Sequence, residues 1–193
     1  MEIGVREPSF AEKEMRKEIA KRHCRKVQWY MTLAYMIAMK SKDPRTKLGA
    51  VVIGPDGEIR STGYNGIPRG VLDIESRMEG EEKYKWMEHA ERNCVFNASL
   101  SGTSLKGCEM YTQQIPCSDC ARAIVQSGIK KVIIHDEWNR VNTAKWVEDS
   151  VVSRAMFKES GVVLIEWSGK LLELSAMHSG NVLELETERM SDQ

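Results

Sequence analysis

Four residues combine type and spacing in a way that could do chemistry: His89 and Glu91 in His89-Ala90-Glu91, and Cys117 and Cys120 in Pro116-Cys117-Ser118-Asp119-Cys120. One imidazole and two thiolates give a zinc ion three protein ligands and leave a fourth tetrahedral position for water. That is the open arrangement of a catalytic centre, whereas a structural zinc takes four ligands. Two cysteines three apart in the first turn of a helix face the same side, and the positive helix end favours their thiolate forms. Glu91 follows the histidine by two residues, so its carboxylate can point beside the metal instead of at it. There it can take a proton from a water whose pKa the metal lowers to about 7, and pass protons onward. Each piece alone has a plainer reading. A lone Cys-x-x-Cys serves as a redox pair or half of a structural zinc site, and a lone His-x-Glu caps a helix or sits in solvent.

Elements that could position these residues are legible along the chain. Val27, Tyr30, Met31, Ala34, Tyr35, Ile37 and Ala38 follow the helical period from Val27 to about Ser41, and Asp43-Pro44 stops the pattern. Leu48–Ile53 and Ile59–Tyr64 flank a Pro55-Asp56-Gly57 turn and predict a hairpin. A helix is expected over Trp86–Leu100, a short strand over Glu109–Thr112, and a helix over Cys117–Ser127 closed by Gly128. Lys130–His135 and Val162–Trp167 read as strands covered on both faces, separated by a helix from about Thr143 to Ser160. Strands alternating with helices predict parallel pairing there, so hairpin and second half together give an α/β, three-layer α/β/α sandwich on a mixed five-stranded sheet. Both chemistry-bearing motifs then stand at helix starts, the cysteine pair directly after a strand.

With 193 residues, one domain with a full core is expected, flanked by a charged helical extension over 1–26 and a tail over 168–193 that packs on the sheet edge or makes subunit contacts. The longest apolar stretch, Trp29 to Met39, is too short to cross a bilayer, and no secretory signal opens the chain, so a cytoplasmic location and no membrane partner are expected. Lys plus Arg equals Asp plus Glu at 28 each. This balance removes the global attraction that binding a long phosphate backbone exploits, while a small nucleotide remains a plausible ligand. The five cysteines are odd in number and read as thiols, with Cys94 and Cys108 as small buried side chains. Met36, Met39, Met78, Met87 and Met110 read as core filler, and His23, His135 and His178 as surface or core-satisfied histidines.

Taken together, His-x-Glu followed 28 positions later by Pro-Cys-x-x-Cys matches the signature of zinc-dependent deaminases. From about Val27 to Glu166 the chain resembles the cytidine and deoxycytidylate deaminase family. Beyond the zinc motif, the likeness rests on Ser41-Lys42-Asp43-Pro44, Gly49-Ala50-Val51, Gly63-Tyr64-Asn65-Gly66-Ile67-Pro68-Arg69-Gly70, His89-Ala90-Glu91-Arg92-Asn93, Gly107-Cys108-Glu109-Met110-Tyr111 and Gly128-Ile129-Lys130-Lys131-Val132-Ile133. The resemblance implies a cytidine-deaminase-like fold and hydrolysis of dCMP to dUMP and ammonia, with one zinc on His89, Cys117 and Cys120 and Glu91 as proton shuttle. It further implies Asn65 at the sugar or phosphate, Arg45 and Lys47 as cations for the phosphate, the Ala90 backbone orienting the pyrimidine, and Trp138 at the base pocket where relatives carry tyrosine. Also implied are a homo-oligomer, often a hexamer, and a regulatory nucleoside triphosphate with Mg2+. Between Val71 and Glu88 there is no Cys or His, so no second zinc is expected. Asn65-Gly66 as a simple turn, and Arg45 and Lys47 as solvated charges, are the competing readings.

Other readings of the same motifs are a deaminase of a modified dCMP, of tRNA or of a polynucleotide, a riboflavin-pathway deaminase, and a non-catalytic zinc-stabilised binding module. Zero net charge counts against the nucleic-acid readings, and the short tail against the riboflavin one, which usually carries a reductase domain. Glu91, not itself a ligand, counts against the module.

Overall fold

A computed structural model of the chain describes residues 9–139, 144–178 and 181–184. Helix α1 (Phe10–Ala38) leads into a hairpin of β1 (Gly49–Ile53) and β2 (Ile59–Tyr64), then a short α2 (Lys83–Trp86) and α3 (Ala90–Ser101). After these come β3 (Glu109–Thr112), α4 (Ser118–Gln126), β4 (Lys131–His135), a one-turn α5 (Asp136–Asn139), α6 (Ala144–Ser160) and β5 (Val163–Trp167). A separate two-stranded ribbon, β6 (Ser175–His178) with β7 (Asn181–Glu184), follows. The main sheet has the order β2-β1-β3-β4-β5. Its β1 pairs antiparallel with β2 and β3, while β3, β4 and β5 run parallel, which is the mixed five-stranded sheet expected.

Period-two alternation explains the three layers, because successive residues of a strand face opposite sides of the sheet. In β1, Ala50 and Val52 join one core cluster with Ala90, Cys94 and Ala98 of α3, Ala121 and Ile124 of α4 and Phe157 of α6. Val51 and Ile53 point the other way, into a cluster with Val27, Tyr30, Met31 and Ala34 of α1. The same division separates Val132 and Ile134 from Ile133 in β4, so β1 and the centre of β4 are unbroken apolar runs because both faces are covered.

Several boundaries differ from the sequence reading. Helix α1 runs through positions 26 and 27 without a break, since an alternation of charges is as compatible with helix as the apolar face that follows. The expected Trp86–Leu100 helix is two helices: Trp86 ends α2, Met87 and His89 are extended, and α3 starts at Ala90. Met36 on α1 and Met39 just after it are exposed, whereas Met87 and Met110 are buried as expected. Nor does the described part of the tail extend the main sheet. Gln28 Nε2 donates to the Lys170 carbonyl, the Leu172 N–H donates to Thr32 Oγ1, and Leu171 packs against the α1 cluster, which ties this segment to α1. Among the described residues no helix is long and apolar enough to cross a membrane.

Close contact between α1 and the sheet depends on Gly49. A Cβ there would sit 2.2 Å from the Ala34 carbonyl oxygen and 2.6 Å from the Ala38 nitrogen, both backbone atoms that cannot swing aside. Gly49→Ala is expected to cost about 1–3 kcal/mol of overpacking, read as a lower midpoint in equilibrium urea unfolding.

Candidate active site

Strands β3 and β4 run parallel, so the segment leaving β3 rises to the C-terminal edge of the sheet and enters α4 there. Cys117 is the N-cap residue of α4, with extended backbone (φ −66°, ψ 169°), and Cys120 lies in the first turn, so the two face one side. His89 is likewise the N-cap residue of α3 (φ −80°, ψ 154°), and Glu91 is in its first turn. Gly63 lets α3 approach β2 at this point, since a Cβ would fall 2.4 Å from the Ala90 carbonyl oxygen and 2.5 Å from the Cys94 nitrogen. Extended N-cap backbone turns His89 and Cys117 inward, and neither side chain caps its own helix.

The ligand atoms of His89, Cys117 and Cys120 all lie within 4.8 Å of one another, the one such group of His, Cys, Asp or Glu among the described residues. His89 Nδ1 stands 3.4 Å from Cys117 Sγ and 3.5 Å from Cys120 Sγ. Tetrahedral zinc, with Zn–N of about 2.0–2.1 Å and Zn–S of about 2.3 Å, separates a nitrogen and a sulfur ligand by about 3.5 Å. The three residues therefore fit a zinc ion without rearrangement. The Cys120 thiol points at Glu91 Oε2 from 3.7 Å, which places that carboxyl beside the cluster and outside the ligand set.

Burial and mutual contact shift all four groups. The hydrogen bond between the two thiols, with His89 adding to it, pulls Cys117 well below the ordinary thiol range and pushes Cys120 above it. Burial opposes charge on His89, but the hydrogen bond to Cys117 and the nearby Glu91 outweigh it and raise its pKa. Glu91 is fully enclosed, and its burial raises its pKa above the usual carboxylate range. A carboxyl raised in this way holds a proton more readily than an exposed one, which suits a group that must accept and then return a proton.

A cleft of about 490 Å³ opens onto His89 and Cys117, bounded by Tyr84, Arg92, Asp119 and Val152. Arg92 spans the two helix starts: its Nε meets Glu88 Oε1 at 2.5 Å and its Nη1 meets Asp119 Oδ2 at 3.2 Å. The 41–48 loop is held by an internal polar network that reaches Lys83, the neighbour of the cleft residue Tyr84. Asp43 is buried and paired with the equally buried Lys83, Nζ to Oδ2 at 2.9 Å, while its Oδ1 accepts the N–H groups of Arg45 and Thr46. Asn65 donates through Nδ2 to the Thr46 carbonyl and to Asp43 Oδ2, and accepts the Leu48 N–H at Oδ1.

The structure thus brings His89, Glu91, Cys117 and Cys120 together, with Ala90 fully buried as the first residue of α3. Arg45 and Lys47 are exposed on the loop that Asp43 and Asn65 brace. Asn65 is not a simple turn residue; it is a buried strut with both ends of its amide engaged. Gly66 makes a bridge to Glu88 and has neither a left-handed backbone nor a crowded Cβ position, unlike Gly63. Trp138 belongs to α5, immediately after β4, and its side chain lies outside the described residues, as do those of His23 and His178. His135 is core-satisfied, accepting from the Tyr35 hydroxyl at Nδ1 and donating from Nε2 to the Gly169 carbonyl, and Cys94 and Cys108 are buried. Sequence reasoning missed Lys83 and Arg92. Lys83 sits in the run Glu81-Glu82-Lys83-Tyr84-Lys85, which reads as a solvated surface, and nothing local signals a partner forty residues earlier.

Comparisons with known proteins agree with this geometry. Residues 24–136 match the family described as the cytidine and deoxycytidylate deaminase zinc-binding region. Deoxycytidylate deaminase of Mus musculus is 33% identical over 149 residues, covering 74% of this chain and 80% of that relative. Deoxycytidylate deaminase of Enterobacteria phage T2 is 29% identical over 182 residues, covering 74% of this chain and 95% of its own. Among solved structures, dCMP deaminase from the cyanophage S-TIM5 in complex with dCMP and dUMP superposes with a TM-score of 0.57 at 27% identity, covering 72% of this chain and 93% of that one.

The Asp43–Lys83 pair generates a stability prediction. Removing one partner leaves a buried charge uncompensated, so Lys83→Met is expected to cost about 3–5 kcal/mol. Adding Asp43→Asn should recover part of that loss, a coupling that a double-mutant cycle in urea unfolding measures.

Proposed function

The chain belongs to the cytidine and deoxycytidylate deaminase family, and from that premise we propose that it hydrolyses deoxycytidylate to deoxyuridylate and ammonia. The observation that carries this reading is the convergence of His89 Nδ1, Cys117 Sγ and Cys120 Sγ at zinc-ligand separations with the enclosed Glu91 carboxyl beside them. The names of the relatives and the dCMP and dUMP bound in the S-TIM5 neighbour support the choice of substrate.

On this reading His89, Cys117 and Cys120 hold one zinc per chain, which supplies the Lewis acidity that lets water give up a proton near neutral pH. Glu91 takes that proton and delivers it to the ring N3 as the water oxygen bonds to C4 and the C4–N3 double bond opens. The remaining hydroxyl proton then passes by way of Glu91 to the exocyclic nitrogen. The C4–N bond breaks, ammonia leaves and the C4 carbonyl of uracil forms. Burial keeps bulk water from competing for these protons and strengthens each electrostatic contact.

The 41–48 loop carries the phosphate selectivity, through the exposed cations Arg45 and Lys47. Asn65 acts by bracing that loop, because its amide donors are already spent on Thr46 and Asp43. The Ala90 backbone, at the start of α3, orients the pyrimidine, and family likeness assigns Trp138 of α5 to the base pocket. Family likeness extends the reading to a homo-oligomer, a hexamer with a regulatory nucleoside triphosphate and Mg2+.

Two variants test the assignments. Glu91→Gln is expected to lower kcat by at least about 10²–10⁴-fold while zinc stays at one per chain by metal analysis; normal turnover in that variant would sink the mechanism. Arg45→Ala with Lys47→Ala is expected to raise KM for dCMP while leaving kcat within a few-fold, and an unchanged KM would return these cations to the solvated surface.

A further inference from the structure

Helix α4 begins with a deficit. The first N–H groups of any helix have no partner within it and are usually satisfied by the side chain of the N-cap residue. Here the N-cap is Cys117, whose sulfur is turned toward His89 and makes no capping bond. The deficit is met from another element: the Ser118 N–H donates to Asp149 Oδ2 at 2.7 Å, and Asp149 belongs to α6, thirty-one residues further along the chain. Asp149 is itself fixed. It is half-buried at the cleft wall, its own carbonyl accepts from the fully buried Ser153 Oγ, and α6 packs against α4.

We propose that Asp149 is a positioning residue for the metal-binding cysteines, acting as an N-cap supplied in trans by α6. Its carboxylate holds the first N–H of α4, in the turn between Cys117 and Cys120, and so sets the spacing of the two sulfurs. Two physical effects reinforce each other. A carboxylate at a helix N-terminus is favoured by the helix dipole, and a charge-assisted bond from a backbone N–H is shorter and stronger than a neutral one. The negative charge also lies against Ser118, one residue after Cys117 and two before Cys120, where outer-shell groups tune ligand basicity and orientation. Asp149 touches neither substrate nor metal on this account; it acts through the backbone of Ser118. The inference rests on the reading of Cys117 and Cys120 as metal ligands.

The test measures zinc affinity directly, by competition with a chromogenic chelator on the full chain, for wild type, Asp149→Ala and Asp149→Asn. Asparagine keeps an oxygen that can accept the Ser118 N–H and loses the charge, whereas alanine loses both. Expected are one tightly held zinc in the wild type, a 10–100-fold weaker affinity in Asp149→Ala, the range typical of losing an outer-shell partner, and a partial recovery in Asp149→Asn. Thermal unfolding of the metal-free proteins shows that the comparison is between folded chains, and a Co2+-substituted sample reports the thiolate ligands by their charge-transfer absorption. Equal affinity in wild type and Asp149→Ala would overturn the proposal while leaving the metal reading intact. Equal losses in both variants would assign the effect to charge alone and overturn the capping role. A wild type that holds no zinc would overturn the metal reading itself.

Discussion

The site depends on one juxtaposition: the side chains of His89, Cys117 and Cys120, from two helix starts, meet within 4.8 Å of one another, a span that could hold one metal ion. An N-cap residue has extended backbone, and that geometry aims a side chain across the axis of its helix instead of along it. Using His89 and Cys117 at this position in α3 and α4 points both at the same spot, and the one-turn separation of Cys117 and Cys120 supplies the third ligand. The cost is that neither helix is capped by its own N-cap side chain. Parallel pairing of β3 and β4 fixes where α4 starts, and the glycine at position 63 fixes how closely α3 lies on the sheet.

Polar groups buried around the cleft show how the surroundings of that cluster are held. Asp43, Lys83 and Asn65 hold one loop, Arg92 joins Glu88 to Asp119 across the two helix starts, and Gln113 links Gly49 of β1 to Ala34 of α1. Asp43, Lys83, Asn65 and Gln113 satisfy backbone or charge that would otherwise be stranded in a dry interior, where an unpaired polar group costs more than a hydrogen bond returns, whereas the Arg92 contacts are partly open to solvent. Buried ion pairs add little net stability, so the pairing of Asp43 with Lys83 is better understood as fixing one loop position than as strengthening the fold.

The legible part of the structure was the part with local signals. Strand positions followed from apolar runs such as Val132-Ile133-Ile134, the parallel pairing from alternation of strands and helices, and the His/Cys/Cys cluster from His-x-Glu and Cys-x-x-Cys. What escaped has partners far along the chain. Lys83 looked like surface because its neighbours are charged, and Asp43 looked like a helix stop because Pro44 follows it. The break at Met87–His89 escaped because Trp86 and the residues after it keep an apolar pattern across a backbone that is extended. The charged face of α1 gave no sign that helix continues through position 26, since charge alternation does not distinguish a separate segment from the exposed end of a long one. Family likeness pointed to Asn65, but nothing local showed that its amide also braces the 41–48 loop.

The central claim is that zinc chemistry at this cluster is directed to a cytosine mononucleotide. The most direct measurement is a parallel rate comparison of dCMP, CMP, deoxycytidine, dCTP and single-stranded DNA, on enzyme with one zinc per chain verified. The account predicts ammonia and dUMP from dCMP, with deoxycytidine and DNA turned over far more slowly. Turnover of deoxycytidine or DNA with none of dCMP would contradict it, keeping the metal chemistry and removing the phosphate from the substrate.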